Sequence, residues 1–277
     1  MTLQIDALIH RWLHVPYGLH TNITNDIKRP RATILMIHGI GTSSKMWGEI
    51  IKRLPKDIRI ITIDLLGFGQ SPKPNWAVYS AKTQARSVLA TLLKLRINSQ
   101  VIIVGHSLGA LVAVDVARRY PLMTRSLILC SPPFYELNRK EKRILPRSDE
   151  ILKYIYSEVR KRPEQFIKIS SLAMRYKLIP NKAFDLNSDN SGPYMGALEA
   201  AIINQSSLAS IKRLKLPIHI LHGMIDPVVI NRHLEDLNKQ QSNITLTQVP
   251  ASHEITGRYI DATVSAIIKA LTKEQSK

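Results

Sequence analysis

A single cysteine, Cys130, stands alone among 277 residues. It can form no internal disulfide and cannot build a multi-cysteine zinc site. Its isolation fits a reducing compartment. Aromatic residues are scarce at 6%, and no nucleic-acid recognition motif accompanies them. Acidic residues are few: 21 Asp and Glu against 39 Lys and Arg leave a formal charge of +18. A long hydrophobic run is missing as well. The longest stretch free of Asp, Glu, Lys and Arg, Ile97 to Val114, contains Asn98, Ser99, Gln100, His106 and Ser107. It predicts a buried strand-turn-helix rather than a membrane span. Near the N-terminus, Asp6, His10 and Arg11 interrupt the apolar residues and no small-residue cleavage site follows, unlike a secretory leader. Together these absences predict a cytoplasmic protein with no transmembrane segment and no specific nucleic-acid partner.

What is present is an ordinary globular composition, 44% hydrophobic and 22% charged, in a chain long enough to bury a core unaided. The basic excess is not a tail. Residues 1–131 carry 17 Lys and Arg against 6 Asp and Glu, residues 132–198 carry 13 against 8, and residues 199–277 carry 9 against 7. Such a spread predicts a basic solvated surface. Oligomeric state leaves no signal.

Short apolar runs at Thr33–His38, Ile58–Asp64, Val101–Gly105, Ser126–Cys130, Pro217–His222 and Ile244–Val249 alternate with helix-like segments at Ser44–Leu54, Ser80–Leu95, Leu108–Tyr120, Val229–Gln240 and Arg258–Leu271. The runs are apolar on successive residues, as strands covered on both faces are. The alternation predicts an α/β fold with a mostly parallel, doubly wound sheet. One or two weaker strands fall in residues 1–30. From Pro132 to Ala209 the alternation stops. That stretch predicts a helical insertion, with a polar link at 187–193, between core segments 1–131 and 210–277. An insertion at the carboxyl end of a strand overhangs the edge where open α/β sheets bind ligands, which makes it a candidate cap over the site. A second packed helical layer is the competing reading.

Gly105-His106-Ser107-Leu108-Gly109 follows the run Val101–Val104 and opens a helix-like segment. This is the G-x-S-x-G pattern in the strand-turn-helix context it requires. The turn is sharp enough to strain the serine backbone, and glycines on either side relieve clashes with strand and helix. The Ser107 hydroxyl then sits at a helix N-terminus, where developing negative charge is favoured. Ser107 is therefore the candidate nucleophile.

Four further motifs surround it in order. They are His38-Gly39-Ile40-Gly41, then Asp64-Leu65-Leu66-Gly67-Phe68-Gly69-Gln70-Ser71, then Gly223-Met224-Ile225-Asp226, and a late His253. With the serine turn they resemble the α/β-hydrolase superfamily, in its lidded, single-domain esterase-like branch. The likeness covers most of residues 30–131 and 210–272. It implies a Ser…Asp…His order with His253 as base and Asp226 as the acid that orients it. It also implies an oxyanion hole formed by the backbone N–H groups of Ile40 and Leu108. The competing, weaker reading of Asp226 is a helix cap before Val229–Gln240, and Glu136 is the nearest acid after Cys130. Asp64 reads as a turn holder, and Asp115 lies about two turns along the helix from Ser107, pointing away. His38 and His106 flank glycine turns. His219 and His222 alternate along a strand and make a poor metal pair. His10, His14, His20 and His233 lie in no motif.

The resemblance implies a serine hydrolase acting on a small-molecule substrate, a small or medium carboxylic ester, with anionic esters suited to the basic surface. No cofactor and no metal are implied. Thioester hydrolysis and carbon–carbon bond hydrolysis use the same triad, and a slow-turnover ligand sensor of this fold is a reading of a different class.

Overall fold

Seven strands form one sheet in the order β1-β3-β2-β4-β5-β6-β7. They are β1 (Thr21–Thr24), β2 (Thr33–Ile37), β3 (Arg59–Ile63), β4 (Val101–His106), β5 (Thr124–Cys130), β6 (Ile218–Gly223) and β7 (Ile244–Val249). β1 pairs antiparallel with β3 and every other pair is parallel. This computed structural model describes residue 5 and residues 8–135 and 189–272.

Successive burial, anticipated from the apolar runs, takes a simple form. Leu35 and Ile37 of β2 join one apolar cluster with Val101 and Ile103 of β4. Ile34 and Met36 join a second cluster with Ile102 and Val104. Side chains alternate faces along a strand, so the two clusters lie on opposite sides of the sheet. Burying each such side chain contributes roughly 1.5–3 kcal/mol, which makes the central strands intolerant of polar residues on either face.

The helices are α1 (Gly48–Ile51), α2 (Ala81–Lys94), α3 (Leu108–Arg119), α4 (Ser191–Ala197), α5 (Ser207–Ile211), α6 (Asn231–Gln240) and α7 (Arg258–Thr272). A 3₁₀ turn, Ser44–Trp47, leads into α1, and a π-helical stretch, Leu198–Ile203, follows α4. α2 starts at Ser80, whose hydroxyl accepts the Thr83 N–H at 3.2 Å, an N-cap that satisfies one otherwise orphaned donor. α7 buries Tyr259, Thr263, Ala266, Ile267 and Leu271. That spacing is one helical stripe, and it covers the second cluster. α3 is buried nearly all round, because helix α2 and residues 197–211 cover it as well as the sheet.

Most of the predicted insertion, residues 136–188, lies outside the described residues, and with it the helical patterns and basic charge expected there. The part that is described departs from expectation in one respect. The polar link at 187–193 turns into helix α4 at Ser191, with Pro193 buried in its first turn. Proline is tolerated there because the N–H it lacks has no intrahelical partner. Ala197, Leu198, Ala201 and Ile202 then pack into the cluster that contains α3. Among the described residues no helix is long and apolar enough to cross a membrane.

Candidate active site

The chain leaves β2 in one direction to form β3 and resumes on the other side as β4. This reversal opens a crevice at the carboxyl ends of β2 and β4, where open α/β sheets bind ligands. In the parallel register Ile37 lies beside Gly105, and His106 beside Cys130. The loop His38–Gly41 and the turn at Ser107 are therefore neighbours.

Ser107 adopts φ 51° and ψ −116°, the strained conformation anticipated for the elbow, and the residue is buried. Its N–H donates to the Cys130 carbonyl at 2.9 Å. The flanking glycines are required by close approach. A Cβ on Gly105 would stand 2.5 Å from the Gly109 carbonyl oxygen, and one on Gly109 would overlap the carbonyls of Ile37 and His38. Strand, elbow and helix touch through backbone alone.

Asp226 and His253 come together as the resemblance implied. His253 Nδ1 lies 2.8 Å from Asp226 Oδ2 and 3.0 Å from Oδ1. The Asp226 side chain is fully buried and that of His253 is 17% exposed. Burial would raise the carboxyl, but the hydrogen bond and charge of His253, then the Ser131 hydroxyl and the Val228 N–H, outweigh it and hold Asp226 below the usual carboxylate range. An ionised carboxylate has no proton to give, so Nδ1–H donates and a neutral ring keeps its lone pair on Nε2. The helix-cap reading of Asp226 is not realised: Ile230 precedes α6 with no side-chain cap bond, and Asp226 instead closes a turn ahead of it. Oδ1 accepts the N–H groups of Val228 at 2.9 Å and Val229 at 3.3 Å. Helix α6 accordingly begins at Asn231, two residues later than the pattern predicted.

His253 is tied to the elbow through its neighbour. His106 Nε2 donates to the His253 carbonyl at 3.0 Å, and the two rings are 5.1 Å apart. Among the described residues no hydrogen bond joins the Ser107 hydroxyl to the His253 ring. Such contacts often tighten only around a bound substrate.

Ile40 and Leu108 flank the serine from two loops. Leu108 opens α3, and Gly39 packs so close that a Cβ there would be 3.3 Å from Ser107 Cβ. The Gly39 carbonyl is held by His38 Nδ1–H at 2.7 Å and the Thr42 hydroxyl at 3.0 Å. In a trans peptide C=O and N–H point in opposite directions, so these two bonds also fix the direction of the Ile40 N–H. His38 Nε2 accepts the Leu65 N–H at 2.8 Å. With one nitrogen donating and the other accepting, its ring is neutral. Burial pushes it down to about 4, against the Gly39 bond and the Asp64 charge.

The remaining residues fall where their motifs suggested. Asp64 holds its turn, with Oδ1 accepting the Ser44 N–H at 2.7 Å and Oδ2 the Gln70 N–H at 2.9 Å. Asp115 pairs with Arg118 and Arg119 on α3. His219 bonds Thr245 and Thr247 on β7, whereas His222 is buried at the strand end. Among the described residues no three His, Cys, Asp or Glu side chains converge as metal ligands. Sequence reasoning passed over Ser131. It has φ 49° and sits one residue beyond β5, its hydroxyl 3.0 Å from the Tyr259 hydroxyl, and it helps to hold the Asp226 carboxyl down.

The sequence matches the alpha/beta hydrolase fold family over residues 32–256, and the chain belongs to that family. It is 32% identical over 125 residues to "Probable lysophospholipase BODYGUARD 4" of Arabidopsis thaliana, a match covering 44% of this chain and 30% of the plant protein. The chain thus spans less than a third of that relative's length. Among solved structures, the enol-lactonase from Burkholderia xenovorans LB400 superposes with a TM-score of 0.74 at 20% identity, covering 93% of this chain and 100% of that one. A thermophilic esterase from Thermogutta terrifontis gives 0.69 at 20% identity, covering 92% and 93%. Likeness at this identity is a likeness of fold.

Proposed function

We propose that the chain is a serine hydrolase that cleaves a small or medium carboxylic ester through an acyl-enzyme. The observation that carries this reading is the 2.8 Å bond between His253 Nδ1 and a buried, ionised Asp226, on loops packed against the strained turn at Ser107. That bond leaves the Nε2 lone pair available as a base. Ser107 Oγ attacks the ester carbonyl carbon while His253 Nε2 takes its proton. Asp226 stabilises the imidazolium. The N–H groups of Ile40 and Leu108 donate to the tetrahedral oxyanion. Collapse breaks the bond to the alkoxy oxygen, which leaves as the alcohol with the proton from His253. Water then gives a proton to Nε2 and attacks the acyl-enzyme, releasing the acid and restoring Ser107.

Ester is preferred to thioester or carbon–carbon substrates because the esterase, the enol-lactonase and the probable lysophospholipase all bear names of carboxylic-ester cleavage. In this reading residues 132–209 form a cap over Ser107 and the rest is the hydrolase core. The buried, unpaired Cys130 suits a cytoplasmic site of action.

The test is a fluorophosphonate probe followed by peptide mapping, alongside a panel of esters of graded acyl length. Single labelling at Ser107, with labelling and turnover both lost in Ser107→Ala, is expected. Labelling that persists in that variant overturns the assignment.

A further inference from the structure

Ahead of β1, residues 8–15 present apolar side chains to solvent. Trp12 is 76% exposed, Leu13 68% and Leu8 51%, and no residue of Leu8–Trp12 is buried. The segment is nonetheless held in place. The His10 ring stacks on Tyr17 at 3.6 Å, His10 Nδ1 donates to the Val15 carbonyl at 2.7 Å, and Arg86 of α2 donates to the His14 carbonyl at 2.7 Å. Val78, 66% exposed, adds to the same patch from the loop before α2.

Beneath the segment lies a cavity of about 340 Å³. Arg11, Arg86, His10 and His14 line it together with Trp76 and Leu66, and no carboxylate is among its described lining residues. Among the described residues, two guanidinium groups therefore share this lining with apolar side chains and no carboxylate. Exposed apolar side chains beside cations are the pattern of a segment that lies in a bilayer interface. Tryptophan favours that interface because one end of its ring is apolar and the other polar. A guanidinium favours the phosphates of the headgroups.

We propose that Leu8–Val15, with Val78, is a docking surface for an anionic lipid bilayer. Trp12 and Leu13 enter the acyl boundary, and Arg11 and Arg86 meet headgroup phosphates. Charge complementarity selects this occupant: the chain carries +18, and a lipid surface demands no shape match from so short a segment. Docking requires neither Ser107 nor ester chemistry.

The experiment is cosedimentation of the full chain with vesicles of phosphatidylcholine, alone or mixed equally with phosphatidylglycerol, together with tryptophan emission. Binding is expected to the mixed vesicles only, with a blue shift of emission. Trp12→Ser with Leu13→Ser should weaken binding roughly a hundredfold, since each of the two lost apolar contacts is worth about a factor of ten. Trp12→Phe should bind and lose the share of the shift that Trp12 contributes, with Trp76 beside the patch supplying the rest and buried Trp47 none. Ser107→Ala should bind as the parent does. Absence of binding to the mixed vesicles overturns the proposal. So does binding that the double substitution leaves unchanged, which would assign it to the overall charge. A double substitution that instead dissolves a dimer, with vesicle binding intact, assigns the patch to a second copy and also overturns it.

Discussion

Asp226 serves two backbones and one ring with two oxygens. Its contacts to Val228 and Val229 shape the turn before α6, and its contact to His253 fixes which ring nitrogen carries the proton. Asn at this position keeps an oxygen for the N–H groups of Val228 and Val229. Its amide donates to Nδ1, however, which forces the proton onto Nε2 and removes the base. Asp226→Asn is therefore expected to fold and to melt near the parent temperature. Its turnover should fall by roughly 10⁴, the loss that follows neutralisation of a triad acid. The check is kcat on the best ester of the panel beside a thermal melt. Near-normal turnover would move the orienting role to another acid, of which Glu136 is the nearest after Cys130. Ser131 shows where reading by residue stops. Its type and place after β5 are visible in the sequence, but its φ of 49° and its bond to Tyr259, 128 positions away, are products of tertiary packing.

At the scale of elements, the central strands were legible because both their faces are buried, so the apolar run itself marks them. β1 was legible only as a weak strand somewhere in residues 1–30, since the pattern of Thr21–Thr24 is half exposed and four residues carry little periodicity. Helix α4 was read as a link because Asn, Ser, Gly and Pro favour turns and helix starts alike. What decided it was the apolar stretch 197–202 packing beside α3. The elbow was the most legible element, because its glycines are demanded by backbone contact rather than by a partner distant in sequence. Gly109→Ala tests this. The new methyl meets the Ile37 and His38 carbonyls, which belong to a central strand and the candidate oxyanion loop and cannot easily move. A loss of roughly 1–3 kcal/mol is expected, read as a lower urea midpoint with unchanged slope. Gly48→Ala is the counterpart: nothing lies within 4 Å of its added methyl and φ is −53°, so stability should hold or rise by up to about 1 kcal/mol. Equal effects of the two substitutions would show that the elbow is not tightly packed.

The whole molecule couples its candidate site to acid through buried imidazoles. His38, His106 and His222 are all pushed below their ordinary value, burial being the largest cause for each. His38 is the best defined, held neutral between the Gly39 carbonyl and the Leu65 N–H at about 4 instead of 6.5. In the unfolded chain it takes up a proton below pH 6.5. In the folded chain it resists until near pH 4. The unfolded state therefore binds more protons across that window, and stability rises with pH there. The contribution of His38 is fully present above pH 6.5 and lost as pH falls towards 4, about 3 kcal/mol in all. Asp64 and Asp226 are also held below their usual range, so they keep their charge through this window and lose it only at lower pH. The excess of basic residues acts in the same sense, because every added proton enlarges the self-repulsion of an already cationic chain. The expected outcome is a urea midpoint that drops steadily between pH 6.5 and 4. His38→Asn should start lower, having lost the Leu65 contact, and fall less steeply over the same interval. A parent midpoint that stays level down to pH 4 would mean that His38 is protonated in the fold, and the Leu65 N–H, which Nε2 could then no longer accept, would need another partner.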